Sequence, residues 1–189
     1  MTKEALRKIY RDKRSQLTLA GSSRLDDLLL IQFQKYPLEN IRTILSFRPI
    51  EGKGEVNTRL ITDYLSFRIP DLQIAYPVMD ETGSNFKAYL SDEETFFKQN
   101  RFGIEEPQQA AQASPRDLDA VLVPLLIADA RGYRVGYGKG YYDRFLYECR
   151  EDVLKIGFSY FEPVDVVDDI HQFDIPLSIC VTPKKIYEF

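Results

Sequence analysis

Apolar and polar positions along the chain alternate between two periods, and this pattern predicts a succession of helices and strands. In residues 3–16, Leu6, Ile9 and Tyr10 fall on one side at helical spacing, while Lys3, Arg7, Arg11 and Arg14 form an adjacent basic stripe. Ser22 and Ser23 can cap a second helix that carries Leu25, Leu28, Leu29 and Phe33 and stops before Pro37. Residues 41–47 read as a strand, residues 49–54 as a loop, and Asn57 or its neighbour can cap a helix running through Phe67. A second strand is expected over residues 72–76. Residues 77–115 show the least regular pattern, with residues 86–90 as a strand and residues 105–115 as a loop. Residues 120–126 are continuously apolar, as expected of a buried parallel strand. A helix over 141–150 follows, then strands over 153–158 and 177–181. Strands alternating with helices imply an α/β fold with a mostly parallel, Rossmann-like sheet in a three-layer α/β/α arrangement. No repeat or low-complexity linker interrupts the 189 residues, so a single domain spanning 1–189 is expected.

Composition narrows the chemistry. One His, His171, and two Cys, Cys149 and Cys180, cannot build a Cys₂His₂ or Cys₄ zinc site. Any Ser-His-Asp triad would have to use His171. Two cysteines 31 positions apart suggest reduced thiols in a reducing compartment. The longest apolar run is far short of the ~20 residues of a membrane-spanning helix, and residues 1–14 lack the apolar stretch of a secretory signal. A cytoplasmic protein with no membrane partner is expected.

The formal net charge of −4 hides an uneven distribution. Residues 1–14 hold six basic side chains against Glu4 and Asp12, and residues 131–144 hold Arg131, Arg134, Lys139 and Arg144 against Asp143. Two concentrated basic spots in an acidic chain suit a small anion better than a nucleic acid, which usually meets a basic face over the whole domain.

The segment DARGYRVGYGKGYYDR, residues 129–144, is the chemically informative one. Gly132, Gly136, Gly138 and Gly140 account for four of the ten glycines. Their freedom in φ lets successive N–H groups line a concavity for anionic oxygens. The segment follows an apolar strand and enters a helix, whose N-terminus adds partial positive charge. Lys139 supplies a point charge and Arg134 a forked donor, and Asp143 is a hard oxygen ligand suited to magnesium. The spacing is not that of a Walker A loop, because Gly140 follows Lys139, nor that of a GxGxxG dinucleotide fold.

These residues resemble the signature of the 5-formyltetrahydrofolate cyclo-ligase family, D-x-x-G-x-R-hydrophobic-G-x-G-K-G-Y-Y-D, which runs here from Asp129 through Arg134, Val135, Gly136, Tyr137, Gly138, Lys139, Gly140, Tyr141 and Tyr142 to Asp143. Three weaker motifs occur in the family's order: Lys3 and Arg7 near the N-terminus, Gly54-Glu55 with Thr58 in the middle, and Asp174 with Pro176-Leu177 late. Phe173 stands where the family often has His, and the loop 48–53 is long. The resemblance implies Mg²⁺ and ATP-dependent closure of 5-formyltetrahydrofolate, with or without a polyglutamate tail, to 5,10-methenyltetrahydrofolate. It implies that Lys3, Arg7 and residues 134–142 bind ATP, with Lys139 catalytic. It implies that Asp143 and Asp174 hold the magnesium, and that Phe47, Glu55, Tyr137 and Tyr141 meet the folate. The expected assembly is a monomer or weak dimer. Two other readings stay open on the residues alone: an ATP-dependent ligase or kinase for another substrate, and an RNA-binding module stacking bases on its Arg/Gly/Tyr segment.

Overall fold

A computed structural model describes residues 1–189. Helix α1 (Lys3–Ser15) starts at Thr2, whose hydroxyl accepts the Ala5 N–H. Helix α2 (Leu19–Phe33) begins earlier than its serines suggest. Thr18 caps it by accepting from the Gly21 N–H at 3.1 Å, and Ser22 and Ser23 lie inside the first turns. The chain then alternates through β1 (Thr43–Leu45), α3 (Thr58–Arg68) and β2 (Gln73–Met79). Asn57 occupies the cap position of α3 without a side-chain hydrogen bond there.

The irregular middle contains more strand than its pattern suggests. After β3 (Phe86–Ser91), a hairpin of β4 (Phe97–Gln99) and β5 (Glu105–Pro107) stands apart from the main sheet, and β6 (Gln112–Ala113) adds an edge to it. The expected loop over 105–115 is therefore two short strands followed by a single 3₁₀ turn at Pro115–Asp117. Their charged and Gln-rich composition conceals them because pairing here is on exposed edges, where burial imposes no alternation.

Strand β7 (Ala120–Val123) is wholly buried and ends at Pro124. It does not lead straight into the glycine-rich segment. A small hairpin of β8 (Ile127–Ala128) and β9 (Arg134–Val135) intervenes before α4 (Tyr141–Glu148). The chain closes with β10 (Leu154–Phe158), β11 (Ile179–Val181) and β12 (Ile186–Glu188). The expected last strand is thus followed by one more, which pairs antiparallel to β11.

The central sheet has eight strands in the order β12-β11-β10-β7-β1-β2-β3-β6. The four inner pairings are parallel and the three outer ones antiparallel. Alternate residues of each inner strand enter different cores. Leu45, Val121 and Val123 meet Phe145 and Leu146 of α4 on one face. Ile44, Leu122 and Ile156 meet Leu29 and Phe33 of α2 and Ile61 and Leu65 of α3 on the other. Helix α1 lies elsewhere, with Leu6 and Tyr10 against Leu126, Ile127, Val135 and Val167. The layers are therefore helix, sheet and helix, with α1 set over the loops that follow β7.

Neighbours β1 and β7 define the switch point of the topology, because β1 continues through α3 to β2 on one side and β7 joins on the other. Chains diverge beyond the carboxyl ends of such strands and leave a crevice there. Strand β2 also outruns β1, so Pro77, past the last β1 partner at Ala75, loses no ladder bond on that side.

Phe33 has no solvent exposure and packs edge-on to Phe158, with ring centroids 5.1 Å apart. Phe33→Ala is expected to cost about 3–5 kcal/mol and to lower Tm by roughly 6–20 °C, at about 2–4 °C per kcal/mol, as read by thermal unfolding.

Candidate active site

The crevice is a cavity of about 600 Å³ lined by 23 residues. Lys3, Arg7, Phe47, Glu55, Arg134, Gly136, Tyr137, Gly138, Lys139, Gly140, Tyr141, Tyr142, Asp143 and Asp174 line it, while Gly132 sits in the β8–β9 turn against Phe189, and of the residues expected to bind a ligand only one is absent. Val135 is the exception. Its side chain has no exposure and packs in the core beneath α1, because the β9 pleat turns Arg134 and Val135 to opposite sides.

One end of the cavity is ionic. The first turns of α1 carry Lys3 and Arg7 across it, one helical turn apart. Lys3 pairs with Asp174, and Arg7 Nε donates to the Gly136 carbonyl at 2.9 Å. Arg134 pairs with Asp143 at 2.8 Å and donates to the Ile175 carbonyl at 2.5 Å, while the Ile175 N–H donates to the same Asp143 oxygen at 3.1 Å. Lys139 is exposed and forms no ion pair, which leaves it available to an anion.

The glycines here are needed for shape. Gly138 has φ +94°, and a Cβ on it would stand 3.2 Å from the Arg7 guanidinium carbon. Gly140, at φ +68°, caps α4 in the left-handed region, which a side chain would strain. The N-terminus of α4 consequently opens on the cavity with its amide groups unused by any cap side chain.

Two carboxylates, Asp143 and Asp174, lie beside this end. Burial alone would raise the Asp174 carboxyl, but the His171 N–H and the Lys3 ammonium outweigh it and hold it below the usual range. Oδ1 of Asp143 and Oδ2 of Asp174 take the hydrogen bonds described, and the second oxygen of each has no protein partner. No cluster of three or more His, Cys, Asp or Glu side chains accompanies them. Two hard oxygens suit magnesium, which takes one or two carboxylates and completes its shell with phosphate and water oxygens.

The other end is apolar apart from Glu55 and the guanidinium of Arg48. Phe47, Ile50, Pro77, Met79, Phe86, Phe102 and Ile104 form its walls. Glu55 faces in from the loop before α3, held by the Ile50 N–H at 2.6 Å and the Tyr137 hydroxyl at 2.5 Å. Its backbone is fixed from behind. Tyr160, a donor to Asp26 at 2.8 Å, lies 3.2 Å from the Glu55 carbonyl, and Asp26 accepts the Asn57 N–H at 3.1 Å. Burial raises the Asp26 carboxyl against these two hydrogen bonds. Between the two ends stand Tyr137 and Tyr141. The Tyr141 hydroxyl donates to the Gly83 carbonyl at 2.8 Å, which joins the glycine-rich segment to the β2–β3 turn. Burial, reinforced by Glu55, pushes the ionisation of Tyr137 and Tyr142 well up, so both are phenols.

The apolar wall from residues 77–104 and the pocket residue Arg48 carry no motif. Arg48 stacks on Phe97, its guanidinium carbon 3.3 Å from the ring centroid, and pairs with Glu105 at 3.0 Å. Apart from the strand expected over residues 86–90, which carries Phe86, the sequence marks them only by scattered aromatic and aliphatic residues in a mainly polar stretch.

Comparison with known proteins identifies a family and a fold. The profile of the 5-formyltetrahydrofolate cyclo-ligase family matches residues 3–183. The 5-formyltetrahydrofolate cyclo-ligase of Mycoplasma pneumoniae is 31% identical over 97% of this chain and 100% of that one, and its Escherichia coli counterpart is 25% identical over 96% and 100%. The solved 5,10-methenyltetrahydrofolate synthetase of Aquifex aeolicus superposes with a TM-score of 0.82 at 29% identity, over 100% of this chain and 93% of that one. That of M. pneumoniae gives 0.74 at 27%, over 96% and 98%. With a family profile that covers residues 3–183 and a relative 31% identical over 97% of its length, the chain belongs to the 5-formyltetrahydrofolate cyclo-ligase family.

Proposed function

We propose that the chain, acting as one domain, uses ATP to close 5-formyltetrahydrofolate into 5,10-methenyltetrahydrofolate, releasing ADP and phosphate. The family activity supplies the reaction, and the observation that supports its location is a single cavity with a cationic end and an apolar, carboxylate-bearing end. A nucleotide triphosphate and a folate need those two environments side by side.

The formyl oxygen is a poor leaving group because it is part of an amide. In the proposed sequence it attacks the γ-phosphorus of ATP, and the bond from that phosphorus to the β-phosphate oxygen breaks, releasing ADP. N10 then attacks the activated formyl carbon, loses its proton, and expels the former formyl oxygen with the phosphate. Phosphoryl transfer asks chiefly for positioning and charge neutralisation. Lys139, Lys3, Arg7, Arg134 and the N–H groups entering α4 would provide both. Asp143 and Asp174, each through its free oxygen, would hold a magnesium ion, whose chemistry when bound is to neutralise phosphate charge. Gly136, Gly138 and Gly140 would let the phosphates approach the backbone, and Tyr142 would pack beneath them. Glu55 retains two lone-pair directions beyond Tyr137 and Ile50, which suit the amino and ring N–H donors of a pterin. Phe47 would lie along the ring, and Tyr137 and Tyr141 would separate nucleotide from folate.

Mixing the protein with Mg-ATP and 5-formyltetrahydrofolate is expected to raise the near-ultraviolet absorbance of the methenyl product; no ATP-dependent rise would overturn the reading. Lys139→Ala is expected to lower kcat by about 10²–10³, the usual cost of one preorganised donor, with the thermal unfolding midpoint unchanged. Glu55→Gln replaces an acceptor pair by one acceptor and one donor pair, and is expected to raise KM for the folate at least tenfold while KM for ATP moves less than twofold. Equal effects on both constants would remove Glu55 from the pterin site.

A further inference from the structure

Arg14, in the last turn of α1, is 4% exposed and has no carboxylate partner within ion-pair distance. It does not line the main cavity. It lies instead behind Glu55, beside a void too small for a ligand that Phe47, Glu55, Val56, Pro124, Leu125 and Phe158 also border. A guanidinium taken out of water is costly unless its charge is met. Here Nη2 donates to the Leu125 carbonyl, Nε finds no acceptor, and Nη1 lies 3.4 Å from the Tyr137 hydroxyl.

That hydroxyl is the bridge. A guanidinium only donates and a carboxylate only accepts, so the single phenolic proton is committed to Glu55, 2.5 Å away, while the oxygen lone pairs face Arg14. Burial keeps the phenol protonated, and Glu55 adds to that effect, so the direction of the chain is fixed. Arg14 and Glu55 therefore form an ion pair at one remove. Its middle member belongs to the glycine-rich segment, between Gly136, which Arg7 grips, and Gly138, which Arg7 abuts.

We propose that Arg14 is a positioning residue for the folate end of the reaction, acting through Tyr137 to orient Glu55 and to tie it to the phosphate-binding segment. The chain of bonds runs from the core behind the site, through the phosphate-binding segment, to the pterin carboxylate. Arg14 never touches either substrate. Its absence would leave the Tyr137 oxygen without its charged donor, so that the hydroxyl keeps its bond to Glu55 but is no longer oriented from behind.

This inference rests on the folate reading of the cavity, and the test separates the two. Steady-state constants for both substrates are measured in the wild type, Arg14→Met, Tyr137→Phe and the double variant, with thermal unfolding of each. Failure of the wild type to turn over 5-formyltetrahydrofolate would sink the folate reading, and the inference with it. With turnover present, Arg14→Met is expected to raise KM for the folate tenfold or more while KM for ATP changes less than twofold, and to add less than twofold in the Tyr137→Phe background. Arg14→Lys, which keeps the charge, is expected to recover most of the loss. An Arg14 effect of the same size in both backgrounds, or one that raises both KM values alike, would overturn the proposal and leave Arg14 a packing residue. If Arg14→Met does not fold, the same cycle run with Arg14→Gln, which removes the charge but keeps a polar side chain, decides: non-additivity with Tyr137→Phe supports the relay, and additivity refutes it.

Discussion

Asp129 accepts five hydrogen bonds although none of its surface reaches solvent. Its donors are the backbone N–H groups of Arg131, Tyr133 and Val167 and the forked Arg131 side chain. Ionised carboxylates are seldom buried without such compensation. The bonds join the turn between β8 and β9 to the loop that passes under α1, and the further architecture of the site follows from that join. The loop supplies Asp169, which accepts the Lys3 N–H at 2.6 Å, and continues to Asp174, which holds the Lys3 side chain. The turn delivers Arg134 and the glycines into the cavity. One acidic side chain thus braces the segment and the loop on either side of the first helix, alongside the direct contacts that α1 makes with Val135 and Gly136.

The cations of the ionic end are mostly occupied in the free protein. Lys3 and Arg134 each face a carboxylate, and these pairs are less than one-third exposed on either side. Such pairing offsets the mutual repulsion of the neighbouring cations and ties each side chain to a fixed partner. A polyanion entering with a divalent cation would exchange partners with both members of each pair, so the site need not pass through a state of uncompensated charge. Lys139, outside these pairs, is the charge that can make first contact.

Legibility in the sequence followed burial and local constraint. The inner strands and α1, α3 and α4 were visible because each buries a face, and buried faces impose a period. The glycine-rich segment was visible because positive φ angles and backbone approach admit few residue types. Thr18 was hidden behind two serines that satisfy the same capping chemistry one turn later. The strands β5, β6 and β12 were hidden because edge pairing is a backbone matter and leaves the side chains free. Arg14 stood in the basic stripe of α1, yet only the fold distinguishes it from Lys8 or Arg11, since α1 tilts that one position toward Leu125 and the sheet. Val135 belongs to the motif for the opposite reason to its neighbours: it anchors the segment to the core so that they can leave it.

The cavity draws its walls from residues 3–7, 47–55, 77–104, 124, 134–143 and 174. Its first and last contributors, Lys3 and Asp174, bind each other across nearly the full length of the chain. No fragment emerging during synthesis contains the whole constellation, and a chain stalled before Asp174 offers phosphates only a half-built, positively charged surface. The Lys3–Asp174 pair is therefore a mark of completed folding, because it closes a loop that spans nearly the whole chain.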